Sequence, residues 1–260
     1  MEAIYTERFF LSAGETNPEQ ELSTPLLVSK LIDIATAHAN SLGRGNPAMA
    51  HLEAGWVLAR LTVEMNRWPR VNTDYSISTW VVDFNRHYSE RAFCIRDGEG
   101  NICGYANSIW MVMHTRTHAN LGLSHLSLDP SLLRDRPPIE KQAKHCRILL
   151  PEEKSERRPA DLDAAQCYGY TFKYCDLDSY RHVNTVRYVI LLLNRFTLSE
   201  HDETRLHRLE LSFLHEARYG EATQLLRSDA PDNPLHSSFL LRRASDGEAL
   251  MFARLYRESR

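Results

Sequence analysis

The densest concentration of chemically useful side chains in this 260-residue sequence is the run Cys175-Asp176-Leu177-Asp178-Ser179-Tyr180-Arg181-His182-Val183-Asn184-Thr185. It sets two acids, a histidine and an asparagine immediately before an apolar segment with helical spacing. The N-terminus of a helix carries backbone N–H groups without intrahelical partners and the positive end of the helix dipole, so it can hold a carbonyl oxygen that becomes an oxyanion. A histidine beside such donors suits acyl transfer to water. The same residues also serve a purely structural purpose, with Asp178 and Asn184 satisfying the turn and capping the helix while His182 packs beneath it. Both readings stand on spacing alone.

Positioning that run requires a helix behind it and a sheet beneath. Asn184 and Thr185 open a helix expected to reach about Ser199, with Val186, Val189, Ile190, Leu193 and Phe196 on its apolar face. A strand ending near Tyr174 precedes it, and strand-like runs follow over Leu206 to Ala217, Thr223 to Ser228, Leu235 to Arg243 and Ala249 to Tyr256. The first half repeats this order. Thr24 as cap and Pro25 at the first helical position start a helix that stops at Gly43, and strands are expected over Trp56 to Trp68, Asp74 to Asn85, Ser89 to Arg96 and Ile102 to His114.

The halves also match residue by residue. Leu58, Arg60, Leu61, Val63 and Met65 align with Leu206, Arg208, Leu209, Leu211 and Phe213 at an offset of 148, and Asp97-Gly98-Glu99 answers Asp246-Gly247-Glu248 at 149. Between the halves, Asp129 to Asp163 holds five of the 11 prolines and no sustained apolar period, so it reads as a linker. The expected organisation is an N-terminal repeat over 1–128, a linker over 129–163 and a C-terminal repeat over 164–260. A helix and an antiparallel sheet made twice is an α+β arrangement in which each curved sheet wraps its own helix, the double hotdog. At the 148 offset Glu216 falls on Trp68, and no Asp-x-x-x-His-x-Asn precedes the first helix. One site per chain is expected, in the second repeat.

Composition removes several classes. The formal charge of -3 leaves no global basic field for nucleic acid or an anionic membrane. The longest apolar run, Tyr188 to Leu193, is far shorter than the roughly 20 residues of a membrane span. Five cysteines, 94, 103, 146, 167 and 175, form no C-x-x-C pair, so neither a disulfide framework nor a zinc site is indicated. Without a signal-like N-terminus, a cytoplasmic protein is expected. Gly98-Glu-Gly100 is a hairpin turn rather than a dinucleotide motif, and no serine-hydrolase elbow or phosphate loop occurs.

The loop resembles the signature of the acyl-ACP thioesterases, Asp-x-Asp-x-Asn-x-His-Val-Asn-Asn, which in that family opens the helix of the second hotdog repeat. A second family segment, Arg-Glu-Cys-like, resembles His215-Glu216-Ala217. The resemblance implies that Asp178, His182, Asn184 and Glu216 are catalytic. Tyr180 replaces the family asparagine and Ala217 the family cysteine, so a cysteine nucleophile at that position is absent. Glu216 is then expected as the base that activates water, His182 as the group polarising water or carbonyl, Asp178 as orienting His182, and the N–H groups of Val183 and Asn184 as oxyanion donors. The implied reaction hydrolyses acyl-ACP to fatty acid and carrier, with no cofactor or metal, by a monomer or homodimer. The rival expectations are an acyl-CoA thioesterase and a non-catalytic acyl-binding protein. An acidic carrier implies a basic docking surface, for which Arg181, Arg187, Arg218, Arg157 and Arg158 are candidates.

Overall fold

A computed structural model describes residues 2–49, 53–124, 126, 129–142 and 167–260. The chain forms two compact units, Met1–Lys141 and Gln142–Arg260. The first contains β1 (Ile4–Phe10), α1 (Thr24–Ser41), the short α2 (Asn46–Met49), β2 (Ala54–Met65), β3 (Asp74–Phe84), β4 (Ser89–Asp97) and β5 (Ile102–His114). The second contains β6 (Cys167–Thr171), α3 (Thr185–Leu193), α4 (Leu198–Glu203), β7 (Thr204–Phe213), β8 (Ala222–Ala230), β9 (Asn233–Arg243) and β10 (Ala249–Ser259).

Each unit orders its strands alike, β1-β3-β4-β5-β2 and β6-β8-β9-β10-β7, and every one of these pairings is antiparallel. Register shows the duplication directly, because Val63 faces Ala106 as Leu211 faces Ala253. The turns correct one alignment. Gly100 (φ 87°) and Gly247 (φ 75°) hold the left-handed position of the two hairpins, so Gly247 corresponds to Gly100 rather than Gly98.

In unit 1, α1 buries Leu27, Val28, Leu31, Ile34, Ala35 and His38 along one face, and Tyr75, Ile77, Phe93 and Ile95 of β3 and β4 are likewise buried. Ser23 is its N-cap, one residue before the cap expected from sequence, and the helix ends as expected, with Gly43 in the left-handed region at φ 67°. Residues of the expected linker belong to this unit. Leu133 bridges Val81, Arg134 N–H donates to Val81 O, and Arg136 pairs with the buried Glu90. Folded structure therefore extends past residue 128 to the unit boundary, while residues 143–163 of the linker, with Cys146, Arg157 and Arg158, lie outside the described residues.

In unit 2 the helix after Asn184 stops at Leu193, short of the expected Ser199. Thr197 begins α4 with a capping box, accepting from Glu200 N–H while Glu200 reaches back to Thr197 N–H, and this second start ends the first helix. The buried face is also rotated from the expected one, comprising Tyr188, Val189, Leu191 and Leu192. Tyr188 packs edge-on to Phe172 and Phe213, with ring centroids 5.7 and 5.5 Å away. Strand β7 ends at Phe213, four residues before the expected Ala217, so Glu216 lies in the irregular segment between β7 and β8.

Candidate active site

The loop before α3 is built largely from its own backbone. Asp178 N–H donates to His182 O at 2.8 Å, Arg181 N–H to Asp178 O at 3.1 Å, and Arg181 occupies the left-handed region at φ 65° to complete the turn. Asp178 Oδ1 accepts the N–H groups of Tyr180 (2.8 Å) and His182 (3.0 Å). Asp178 therefore orients His182 through the main chain, and its own carboxylate makes no hydrogen bond to the imidazole among the described residues. The other acid, Asp176, is buried and structural: it accepts Lys173 N–H and the Tyr170 hydroxyl, and Arg187 lies 3.8 Å from it.

This turn aims the imidazole across to the segment after β7. His182 Nε2 lies 3.2 Å from Glu216 Oε2, both side chains about one-third exposed at 28% and 32%. The approach is held by a ladder between the two segments, with Val183 N–H donating to Ala217 O at 3.0 Å and His182 bridging Arg218. Ala217 is fully buried. Tyr188, one helical turn beyond Asn184, takes a hydrogen bond from the Ala217 backbone; burial raises the phenol pKa, and Glu221, Glu216 and Asp178 add to it. The phenol stays protonated beside the pair. Sequence reasoning missed Tyr188 because its apolar neighbours hid which face of the helix turns inward.

The same ladder corrects the expected oxyanion donors. Val183 N–H is taken by Ala217 O, and Asn184 N–H is taken by Asp176 O at 2.8 Å. Neither points at open space. Asn184 Oδ1 caps the helix by accepting Val186 N–H at 2.9 Å. Its Nδ2 and the Thr185 N–H make no hydrogen bond among the described residues. These two groups are the hydrogen-bond donors left at the start of α3, two and three residues after His182. Tyr180 is 55% exposed, so its ring stands outside the turn that its N–H helps to close.

Of the residues expected at the site, Asp178, His182, Asn184 and Glu216 are thus brought together, and Tyr180 and Ala217 lie on its rim and floor. The two units thus share one helix-on-sheet plan, and the loop before the helix carries the His182–Glu216 pair in the second where the first has Glu21 and Trp68. The two halves match the family models of the acyl-ACP thioesterase N-terminal domain over residues 2–121 and C-terminal domain over residues 160–256. The chain belongs to the acyl-ACP thioesterase family.

Among its relatives, the chloroplastic palmitoyl-acyl carrier protein thioesterase of Gossypium hirsutum is 26% identical over 239 residues, covering 88% of this chain and 56% of that protein. The chloroplastic oleoyl-acyl carrier protein thioesterase of Coriandrum sativum is 27% identical over 240 residues, covering 88% and 63%. The chain thus spans less than two-thirds of the length of these curated relatives. Among solved structures, an acyl-ACP thioesterase from Bacteroides thetaiotaomicron superposes with a TM-score of 0.85 at 24% identity over 98% of both chains. The 12:0-ACP thioesterase from Umbellularia californica gives 0.82 at 19% identity over 99% of this chain and 95% of that one. These two share the double-hotdog fold. No helix among the described residues is long and apolar enough to cross a membrane.

Proposed function

We propose that this chain hydrolyses fatty acyl thioesters of acyl carrier protein, releasing free fatty acid and the carrier thiol. The observation that carries the reading is the 3.2 Å approach of His182 Nε2 to Glu216 Oε2, beside two hydrogen-bond donors at the start of α3. Glu216 takes a proton from water as the water oxygen bonds to the thioester carbon. The carbonyl oxygen becomes an oxyanion, held by Thr185 N–H and Asn184 Nδ2. Collapse of that intermediate breaks the carbon–sulfur bond, and the proton on Glu216 passes by way of His182 to the departing sulfur. Family membership and the side chains at Asp178, His182, Asn184 and Glu216 support this order. The reading places the enzyme in the cytoplasm, and the four described cysteines, all free thiols, fit a reducing compartment.

The test is thiol release from a panel of acyl-ACP and acyl-CoA thioesters by the wild type, His182→Ala and Glu216→Ala. Turnover of acyl-ACP that either substitution abolishes is the expected result. Preference for acyl-CoA at equal chain length would replace the carrier in this reading. Binding of acyl chains with no turnover on any thioester would replace hydrolysis with storage or transport, an outcome that Tyr180 and Ala217 keep in view.

A further inference from the structure

The segments that carry the reactive pair also carry an unusual surface. Three of the four most exposed aromatic side chains among the described residues, Tyr174 (81%), Tyr219 (67%) and Tyr180 (55%), lie on the two loops around His182 and Glu216; the fourth, Phe10 (58%), ends β1 of unit 1. The exposed charged side chains of residues 171–183 and 214–220 are Lys173, Arg181 and Arg218, all cationic, in a chain of net charge -3. The acids there, Asp176, Asp178 and Glu216, are at least partly buried. Backbone bonds draw the six residues onto one rim. Gly220 N–H donates to Phe172 O and Phe172 N–H to Glu221 O, which ties Tyr219 to Lys173 and Tyr174, while the His182–Arg218 bridge brings Arg181 beside Arg218.

The duplication supplies an internal control. The same backbone positions in unit 1 hold Ser12, Ala13, Glu19, Gln20, Arg70 and Val71, with no aromatic residue and one cation, which pairs with Glu21. The scaffold alone therefore does not ask for tyrosines and cations. They occur where the chemistry is. Exposed aromatic side chains cost solubility, and tyrosine with arginine forms the energetic centre of many protein interfaces.

We propose that Lys173, Tyr174, Tyr180, Arg181, Arg218 and Tyr219 form a docking rim for an acidic protein that carries the thioester. This deepens the thioesterase reading and rests on it. A protein partner fits better than a free nucleotide thioester, because three rings standing out from two loops offer apolar area over a broad surface rather than one stacking slot. Cations around them steer an acidic surface and make association sensitive to salt.

The experiment compares KM and kcat for one saturated acyl chain on acyl carrier protein and on CoA, using the full chain, Arg218→Glu, and the pair Arg181→Asn with Tyr219→Ser. Asparagine suits the left-handed conformation at position 181. Expected is a rise of about tenfold or more in KM for the carrier-borne substrate, with kcat and acyl-CoA kinetics unchanged. Unchanged KM for the carrier substrate overturns the rim. An equal rise with acyl-CoA also overturns it, since the cations would then be reading CoA phosphates. If the wild type turns over neither thioester, the hydrolysis reading fails by itself, and the Kd of acyl carrier protein for wild type against Arg218→Glu still decides the rim, equal values overturning it.

Discussion

The two units build one loop twice and put different chemistry on it. In unit 1, Asn17 N–H donates to Glu21 O and Glu21 N–H to Asn17 Oδ1, both at 2.8 Å; in unit 2, Asp178 and His182 make the same two bonds. Gln20 (φ 61°) and Arg181 (φ 65°) take the same left-handed position, and Leu22 N–H reaches Pro69 O as Val183 N–H reaches Ala217 O. Where unit 2 has His182 and Glu216, unit 1 has Glu21 and Trp68, with Glu21 buried and paired to Arg70 at 3.3 Å. The comparison separates scaffold from function. Turn, bridge and helix start are common property, and only side chains that leave that common set are candidates for chemistry.

The largest expected effect breaks the symmetry at its centre. Glu216→Gln should lower kcat/KM of thioester hydrolysis by about 100- to 10,000-fold, the range for a lost general base, whereas Glu21→Gln should leave turnover at the wild-type level. Steady-state thiol release by both variants checks this, and equal losses would mean that the two loops act together.

A second contrast lies in the helices. Unit 1 buries His38 on α1, where Nδ1 accepts from Arg91 at 2.8 Å and Nε2 faces Glu2 O at 3.1 Å, so the ring is the neutral Nε2–H tautomer. Burial, with the Arg91 charge adding to it, depresses its pKa from 6.5 to about 4. The unfolded chain then binds the extra proton first as pH falls. Stability is full above about pH 6.5 and declines down to about pH 4, by of order 3 kcal/mol in all. Denaturation midpoints of wild type and His38→Gln across that window should converge at low pH, and a slope that persists in the variant would assign it elsewhere. Arg91 itself is buried, which lowers its pKa to about 10.

Much of this was legible in the sequence, for reasons that also explain what was not. The repeat, the polar loop and the order of elements along the chain follow from spacing that each unit must keep to bury its helix. The end of β7 does not, because Leu214-His215-Glu216 continues the alternation of the strand. What stops it is tertiary: the N–H groups of both Leu214 and His215 converge on Leu250 O, and Ala217 turns to meet Val183. The break of the second helix had a local sign, the Thr197-x-x-Glu200 capping box, masked by apolar residues on both sides. Occupied N–H groups at Val183 and Asn184 had none, since their partners, Ala217 O and Asp176 O, belong to segments placed only by folding.

Repeat 1 also suggests how to separate the cap at Asn184 from the oxyanion role proposed for it. Its counterpart, Ser23, opens α1 from the same backbone conformation, with φ -66° and ψ 138° against -65° and 137°. Serine caps a helix about as well as asparagine, so Asn184→Ser should leave stability within about 0.5 kcal/mol. It removes the Nδ2 donors, and kcat should fall by about 100-fold if they hold the oxyanion. Wild-type kcat in this variant would leave Thr185 N–H as the donor that matters.

The smallest effect tests the shared turn itself. Asp178 and Asn17 place the same Oδ1 over the backbone, so the turn requires an acceptor and not a charge. Asp178→Asn should therefore unfold within about 0.5 kcal/mol of wild type, while Asp178→Ala strands the N–H groups of Tyr180 and His182 and should cost about 1 to 3 kcal/mol. Chemical denaturation of the two variants reads the difference. Equal destabilisation would show that the carboxylate charge holds the second loop, and that the likeness to Asn17 ends at the backbone.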